Sequence, residues 1–121
     1  MIGKKKWIIP DGFLQPISTG DQISHEAVCV LNVEEEEAEI KMTFYFEDRE
    51  PMTEFVTTCG AKRTHHIRLD KIKDANGDEV PRGVPYAIEV DSSVPIVIQH
   101  SRLDTSQEAL ALFTTMAYSA E

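Results

Sequence analysis

Four histidines, His25, His65, His66 and His100, are the side chains here best suited to chemistry near neutral pH, because imidazole titrates there without any special environment. Glu26 and Arg102 stand beside two of them in the sequence, and Trp7 and Arg63 complete a set of polar and aromatic groups. Three chemistries are open to such a set. The groups can be hydrogen-bonded pins that tie strand ends together. They can line a polar pocket in which histidine and arginine donate, Glu26 accepts and Trp7 offers a flat surface to a small hydroxylated or anionic molecule. They can also hold a metal, although there is no H-x-H, HExxH or CxxC spacing to support it. Other chemistries find less. Ser24, His25 and Glu26 are neighbours along an extended chain, so they alternate between faces and cannot relay a proton to one another. Asp74, Asn76 and Asp78 resemble the start of a calcium loop, but Glu79 stands where the loop requires glycine. No phosphate-binding glycine loop and no nucleophile elbow is present.

The elements that must position these residues read as strands. Trp7–Ile9 is a short apolar run ended by Pro10, Asp11 and Gly12. His25–Asn32 is apolar on both faces, as a well-covered central strand is. Ala38–Phe46 alternates apolar and polar residues, which puts Ala38, Ile40, Met42, Phe44 and Phe46 on one face. Further strands are expected over Thr53–Cys59, Lys62–Leu69, Tyr86–Val90 and Val94–Leu103. Phe113–Tyr118 is expected to close the chain as a strand, with Ala109–Leu112 ambiguous between strand and helix. Asn76-Gly77 marks a hairpin turn in the polar stretch from Lys73 to Pro85. His65 and His66 must point to opposite faces, whereas Ile96, Ile98, His100 and Arg102 share one. His25 begins one strand and His100 lies near the end of another, so antiparallel pairing would bring the two together at one end of the fold. Seven or eight short strands at regular spacing imply an all-β, single-domain antiparallel sandwich of jelly-roll type over residues 1–121.

Composition narrows the function classes. The chain has 121 residues and a formal net charge of −9, a balance that repels a phosphate backbone and argues against nucleic acid as a partner. Lys4, Lys5 and Lys6 form a local basic start that reads as a solvated tail. No apolar run reaches membrane-spanning length and no secretory h-region follows the lysines. Cys29 and Cys59 lie in or beside apolar strands and read as free, buried thiols rather than a disulfide. A soluble, cytoplasmic protein without a cofactor is the expectation.

Several stretches carry a resemblance in order along nearly the whole chain. They are Ile23 to Asn32, the Phe-Tyr-Phe-Glu-Asp-Arg-Glu-Pro run ending at Pro51, Arg63 to Arg68, Val94 to Asp104 and Met116 to Tyr118, with Trp7 in the first strand. The chain thereby resembles the sensory rhodopsin transducer family. That resemblance implies a compact β-sandwich, a homotetramer in the cytoplasm, and a role in binding a membrane photoreceptor and passing on its signal. It also implies a small sugar-like ligand, with Trp7, His25, Glu26, Arg63, His66, His100 and Arg102 as the ligand-binding set. The segments Pro10 to Gln22 and Lys73 to Pro85 depart from the family pattern and are candidates for partner or ligand specificity. The expected function is a non-enzymatic signal-transducer-like binding module. The alternatives are a metal-dependent cupin-like enzyme and a purely protein-binding adaptor with an acidic docking face.

Overall fold

Eight strands and no helix make up the structure, a computed structural model that describes residues 1–121. They are β1 (Lys4–Phe13), β2 (His25–Asn32), β3 (Ala38–Phe46), β4 (Met52–Cys59), β5 (Arg63–Arg68), β6 (Pro85–Asp104), β7 (Ala111–Met116) and β8 (Tyr118–Ser119). All pairings are antiparallel. One layer runs β4-β3-β6-β1-β8, and the other pairs β5 with β2, β2 with β6, and β6 with β7. This is an antiparallel all-β sandwich, and β6 belongs to both layers.

The two strands expected over Tyr86–Val90 and Val94–Leu103 are therefore one strand of 20 residues. Its first half pairs with β3, from Phe46↔Tyr86 to Ile40↔Ser92. Its second half pairs with β2, from Leu31↔Val97 to His25↔Leu103. Pro95 stands between those two ladders, where its missing N–H costs least. The inward phase never slips: Tyr86, Ile88, Val90, Val94, Ile96, Ile98 and His100 are all buried. A strand that passes from one layer to the other in this way delivers side chains from both ends into one interior.

The first strand is also longer than its apolar run. Pro10 and Asp11 form a bulge, because pairing with β6 skips from Ile9↔Ile88 to Gly12↔Tyr86. The bulge carries the strand past the proline and turns Asp11 outward. The end of the chain is strand rather than helix over Ala111–Met116. Twenty buried apolar residues form one core cluster, with Phe44 edge-on to both Phe55 and Tyr86 at 4.9 and 5.2 Å between ring centres. Cys29 and Cys59 are free thiols.

The loop before β2 is held by polar pins. Ser24 and Thr105, both fully buried, share hydroxyls at 3.1 Å. The Ser24 hydroxyl also donates to the Ile17 carbonyl at 2.9 Å and accepts from the Thr105 amide at 2.8 Å. The Arg82 guanidinium donates to the carbonyls of Gln15 and Ser24, and Asp70 holds both Arg82 and Arg68. These bonds fix where β2 begins and so where Glu26 enters the core.

Gly12 is required by close approach. A Cβ at that position would lie 2.1 Å from the Tyr86 ring. Gly12→Ala is expected to displace Tyr86 and cost about 1–3 kcal/mol, as overpacking of a filled core does, measured by urea unfolding. An unchanged midpoint would show that the ring can move aside freely.

Candidate functional site

A carboxylate lies at the centre of the polar interior. Glu26 has no exposed surface, because its strand alternates inward through Glu26, Val28, Val30 and Asn32. Burying a charge is costly unless its oxygens are paired, and here every partner comes from a different place. The Tyr86 hydroxyl donates to Oε1 at 2.5 Å from the first half of β6. His100 Nε2 reaches the same oxygen at 2.9 Å from the second half. Arg102 Nε donates to Oε2 at 2.5 Å, directly across the β2–β6 ladder. The Phe13 amide, at the end of β1, donates to Oε2 at 3.0 Å. The carboxylate thus ties both layers of the sandwich and both halves of β6.

Electrostatics follow from those bonds. Burial alone would raise the Glu26 carboxyl, but the donors from His100, Tyr86, the Phe13 amide and Arg102 outweigh it and hold it below the usual 4.5. Burial first, and then the neighbouring Glu26 charge, push the Tyr86 phenol far above its ordinary range, so it stays a donor. An ionised carboxylate can only accept, so the His100 proton on Nε2 points to Glu26. In the neutral ring Nδ1 then carries the lone pair.

His100 is also where this network meets open space. A cavity of about 290 Å³ is lined by His100, Thr115 and Asp11 on its polar side and by Ile9, Phe113, Met116 and Tyr118 among its apolar walls. Phe113 lies edge-on to His100 at 5.8 Å, and the Arg102 guanidinium sits 5.1 Å over the same ring. Arg102 Nη2 is buried without a hydrogen bond, 3.9 Å from Asp11 Oδ1. A larger cleft of about 470 Å³ on the other side of Asp11 is lined by Tyr45, Phe46, Glu47 and Tyr86 with the two prolines Pro10 and Pro85. Asp11 borders both.

The structure brings together three of the seven sequence-selected residues and separates the other four. Glu26, His100 and Arg102 converge. Trp7 is not an open stacking surface: it is buried at 7% exposure, and its indole N–H donates to the carbonyls of Lys4 and Ile96. His25 does not meet His100. It pairs with Leu103, projects from the opposite face of the sheet, and its Nδ1 lies 2.8 Å from the Ile23 carbonyl. Antiparallel pairing of β2 with β6 does set His25 three positions from the residue opposite His100, but its odd separation from the inward set turns His25 outward. His66 lies opposite Cys29, on the outer face. Arg63 is exposed, with its guanidinium on the carbonyls of Ala61 and Lys62. His65 binds the Thr58 carbonyl at 2.7 Å. Sequence reasoning missed Tyr86, although it shares a phase with Ile88 and Val90 and a buried phenol demands a partner. It also missed Asp11 and Phe113, which only the bulge and the β6–β7 pairing bring to the cavity. No group of three His, Cys, Asp or Glu side chains is placed to hold a metal ion.

Replacing Glu26 with alanine leaves the buried Tyr86 hydroxyl and the half-buried Arg102 without their acceptor. The expected cost is about 3–5 kcal/mol in chemical denaturation. The depressed Glu26 value also sets a pH dependence. Its stabilisation is complete above pH 4.5 and is lost as the pH falls through the lower folded value. The stability gap between the native chain and Glu26→Gln should therefore narrow as the pH falls below 4.5. A gap that widens on acidification would mean that the carboxyl is protonated in the native state.

Comparison with known proteins bears on the family and the fold. The family model described as Anabaena sensory rhodopsin transducer matches residues 2–119. A crystal structure of Thermotoga maritima 1070 is 37% identical with a TM-score of 0.89, covering 100% of this chain and 98% of its own. The Anabaena sensory rhodopsin transducer is 38% identical with a TM-score of 0.76, covering 85% of this chain and 90% of its own. No curated protein matches the sequence at a significant level. With nearly its whole length matched by the family model and its fold shared with both structures, this chain belongs to the Anabaena sensory rhodopsin transducer family.

Proposed function

We propose that this transducer-like protein is a non-enzymatic binding module that holds a small molecule in the cavity floored by His100. The carrying observation is the junction of a pre-organised network with an open cavity: His100 is fixed through Nε2 by the buried Glu26 and presents its ring to the space beside Phe113. Ligand sites combine apolar walls with a few fixed polar groups, and this cavity has that composition. The sugar-like ligand implied by the family belongs to the same small-molecule reading. Affinity should be modest, because a cavity of this size accepts few ligand atoms.

The same proposal includes self-association in the cytoplasm and a membrane photoreceptor-type partner, as the family name suggests. No helix of the structure is long and apolar enough to cross a membrane, so the membrane component in this reading is the partner. Support for self-association lies in the outer faces of the two layers. On the β4-β3-β6-β1-β8 layer the outer face is charged, with Lys6 bridged to Glu89 and Asp91. On the other layer the outward positions include Leu31, Cys29, Val97, Leu103, Leu112 and Met116 and no carboxylate. A largely uncharged sheet face on a chain of net charge −9 suits burial against a second copy.

Two measurements test this. In thermal unfolding against a panel of small polar molecules, a binder should raise the midpoint by mass action, and His100→Ala should abolish the shift. A shift that survives in His100→Ala would place the site elsewhere. In sedimentation equilibrium the protein should exceed the monomer mass of 13.6 kDa, and Leu31→Asp should lower it. A monomeric native chain would remove the assembly from the proposal.

A further inference from the structure

The larger cleft, on the other side of Asp11, is a trough in the outer face of the β4-β3-β6-β1-β8 layer. Its floor is the start of β6, where Ala87 points outward and stands directly opposite Tyr45 of β3. The Pro10–Asp11 bulge walls it on the β1 side, and Tyr45, Phe46 and Glu47 wall it on the β3 side. The small Ala87 side chain between those walls leaves about 470 Å³. Pro10 and Pro85 have no N–H to offer. Tyr45 is 43% exposed and commits its hydroxyl to Glu89 at 2.8 Å. The sides of the trough are therefore largely apolar.

Its charged groups lie unevenly. Asp11 is set against Arg102 and carries no surplus. The surplus is on the β3 side. Asp48 is matched by Arg49, which binds it through Nε and Nη2. Glu47 and Glu50, in the same turn, are exposed and engage no partner. Further along the floor strand, Lys6 alone serves both Glu89 and Asp91. Arg49 also shows what a guanidinium does at this end of the fold: it lies 5.6 Å over the Phe46 ring while it pairs with the adjacent carboxylate. Tyr45 and Glu47 repeat that ring and carboxylate at the trough, and no cation of the chain pairs with Glu47.

From this we propose that the trough docks a basic segment of a partner protein, an arginine- or lysine-bearing stretch on the cytoplasmic side of a membrane protein. One basic side chain lies in the trough, with its stem against Ala87, Pro10 and Tyr45 and its cation at Glu47. Long basic side chains cover apolar surface with their stems while the head stays charged, and an aromatic ring attracts the cation further. Cytoplasmic loops of membrane proteins carry an excess of Lys and Arg. A chain of net charge −9 is steered toward such loops. Anionic lipid headgroups have the wrong sign, so the bilayer surface itself is not the occupant. This inference rests on the membrane-partner reading and supplies its contact, and it does not involve the His100 cavity.

The probe is the peptide acetyl-Lys-Arg-Leu-Arg-Lys-amide, titrated into the whole chain at low ionic strength and followed through the amide shifts of Tyr45, Glu47 and Ala87. Saturable shifts are expected there. They should vanish in about 0.5 M salt, and when glutamine replaces every basic residue of the peptide. Glu47→Lys should weaken binding about fivefold or more. Ala87→Gln, which fills the floor without changing the charge, should weaken it too. Glu37→Lys makes the same change of net charge in the turn between β2 and β3, at the other end of β3, and should weaken binding by less than about twofold. Glu37 and Glu47 are both exposed, and amide spectra check that each variant folds. Equal weakening by Glu47→Lys and Glu37→Lys overturns the docking site, and so does a peptide that leaves these amides unmoved. Neither result touches the membrane-partner reading, which another docking face would satisfy. The same peptide anchored by an acyl chain to phosphatidylcholine vesicles should recruit the protein to them. Binding of the free peptide without recruitment overturns the membrane-borne source, while the trough stands as a site for basic peptides.

Discussion

A carboxylate removed from water must find its donors inside the protein or give up its charge. Glu26 finds four, and the need to supply them organises much of the molecule. Tyr86 and His100 sit 14 residues apart on one strand, and they reach the same oxygen only because that strand crosses from one layer to the other. Arg102 reaches the second oxygen because it stands directly opposite Glu26 in the β2–β6 ladder. The Phe13 amide arrives because β1 continues through its bulge to the end of the sheet. Even Gly12 belongs to this constraint, since a side chain there would occupy the place of the Tyr86 ring.

The same constraint ties fold to function. A buried ion pair contributes little net stability compared with apolar packing, but it penalises any arrangement in which one partner is missing. Here the partners come from β1, β2 and both halves of β6, so the penalty enforces the relative position of the two layers. His100 is held as part of that set, with one nitrogen committed to the interior and the ring bordering a cavity. The strands that complete the cavity wall, β7 and β8, lie over the edge of the network, and Phe113 contacts both His100 and Arg102. A ligand bound there would touch the charged interior on one side and the exposed β7 on the other.

Much of the fold was legible in the sequence because alternation is a strong signal when one face is buried. His25–Asn32 and Ala38–Phe46 read with their observed ends. The shared face of Ile96, Ile98, His100 and Arg102 follows from period two alone. The continuity of β6 was not legible: Asp91, Ser92 and Ser93 look like a turn, and only tertiary pairing keeps them extended. For the site, sequence separated inward from outward residues along each strand but could not align phases between strands. Glu26 and His100 share the interior, while His25, one residue away from Glu26, faces out. Trp7 looked available because tryptophan serves binding sites and cores alike, and here its indole is enclosed between two carbonyls.

The central claim is that Glu26 stays ionised in the folded protein because its donors outweigh its burial. The direct measurement is a pH titration of the Glu26 side-chain carboxyl carbon by NMR in the native protein. A midpoint below the usual 4.5 is the result this account predicts. A midpoint above that value would mean that burial dominates, that Glu26 is a neutral acid in the core, and that the charged network does not hold the two layers together.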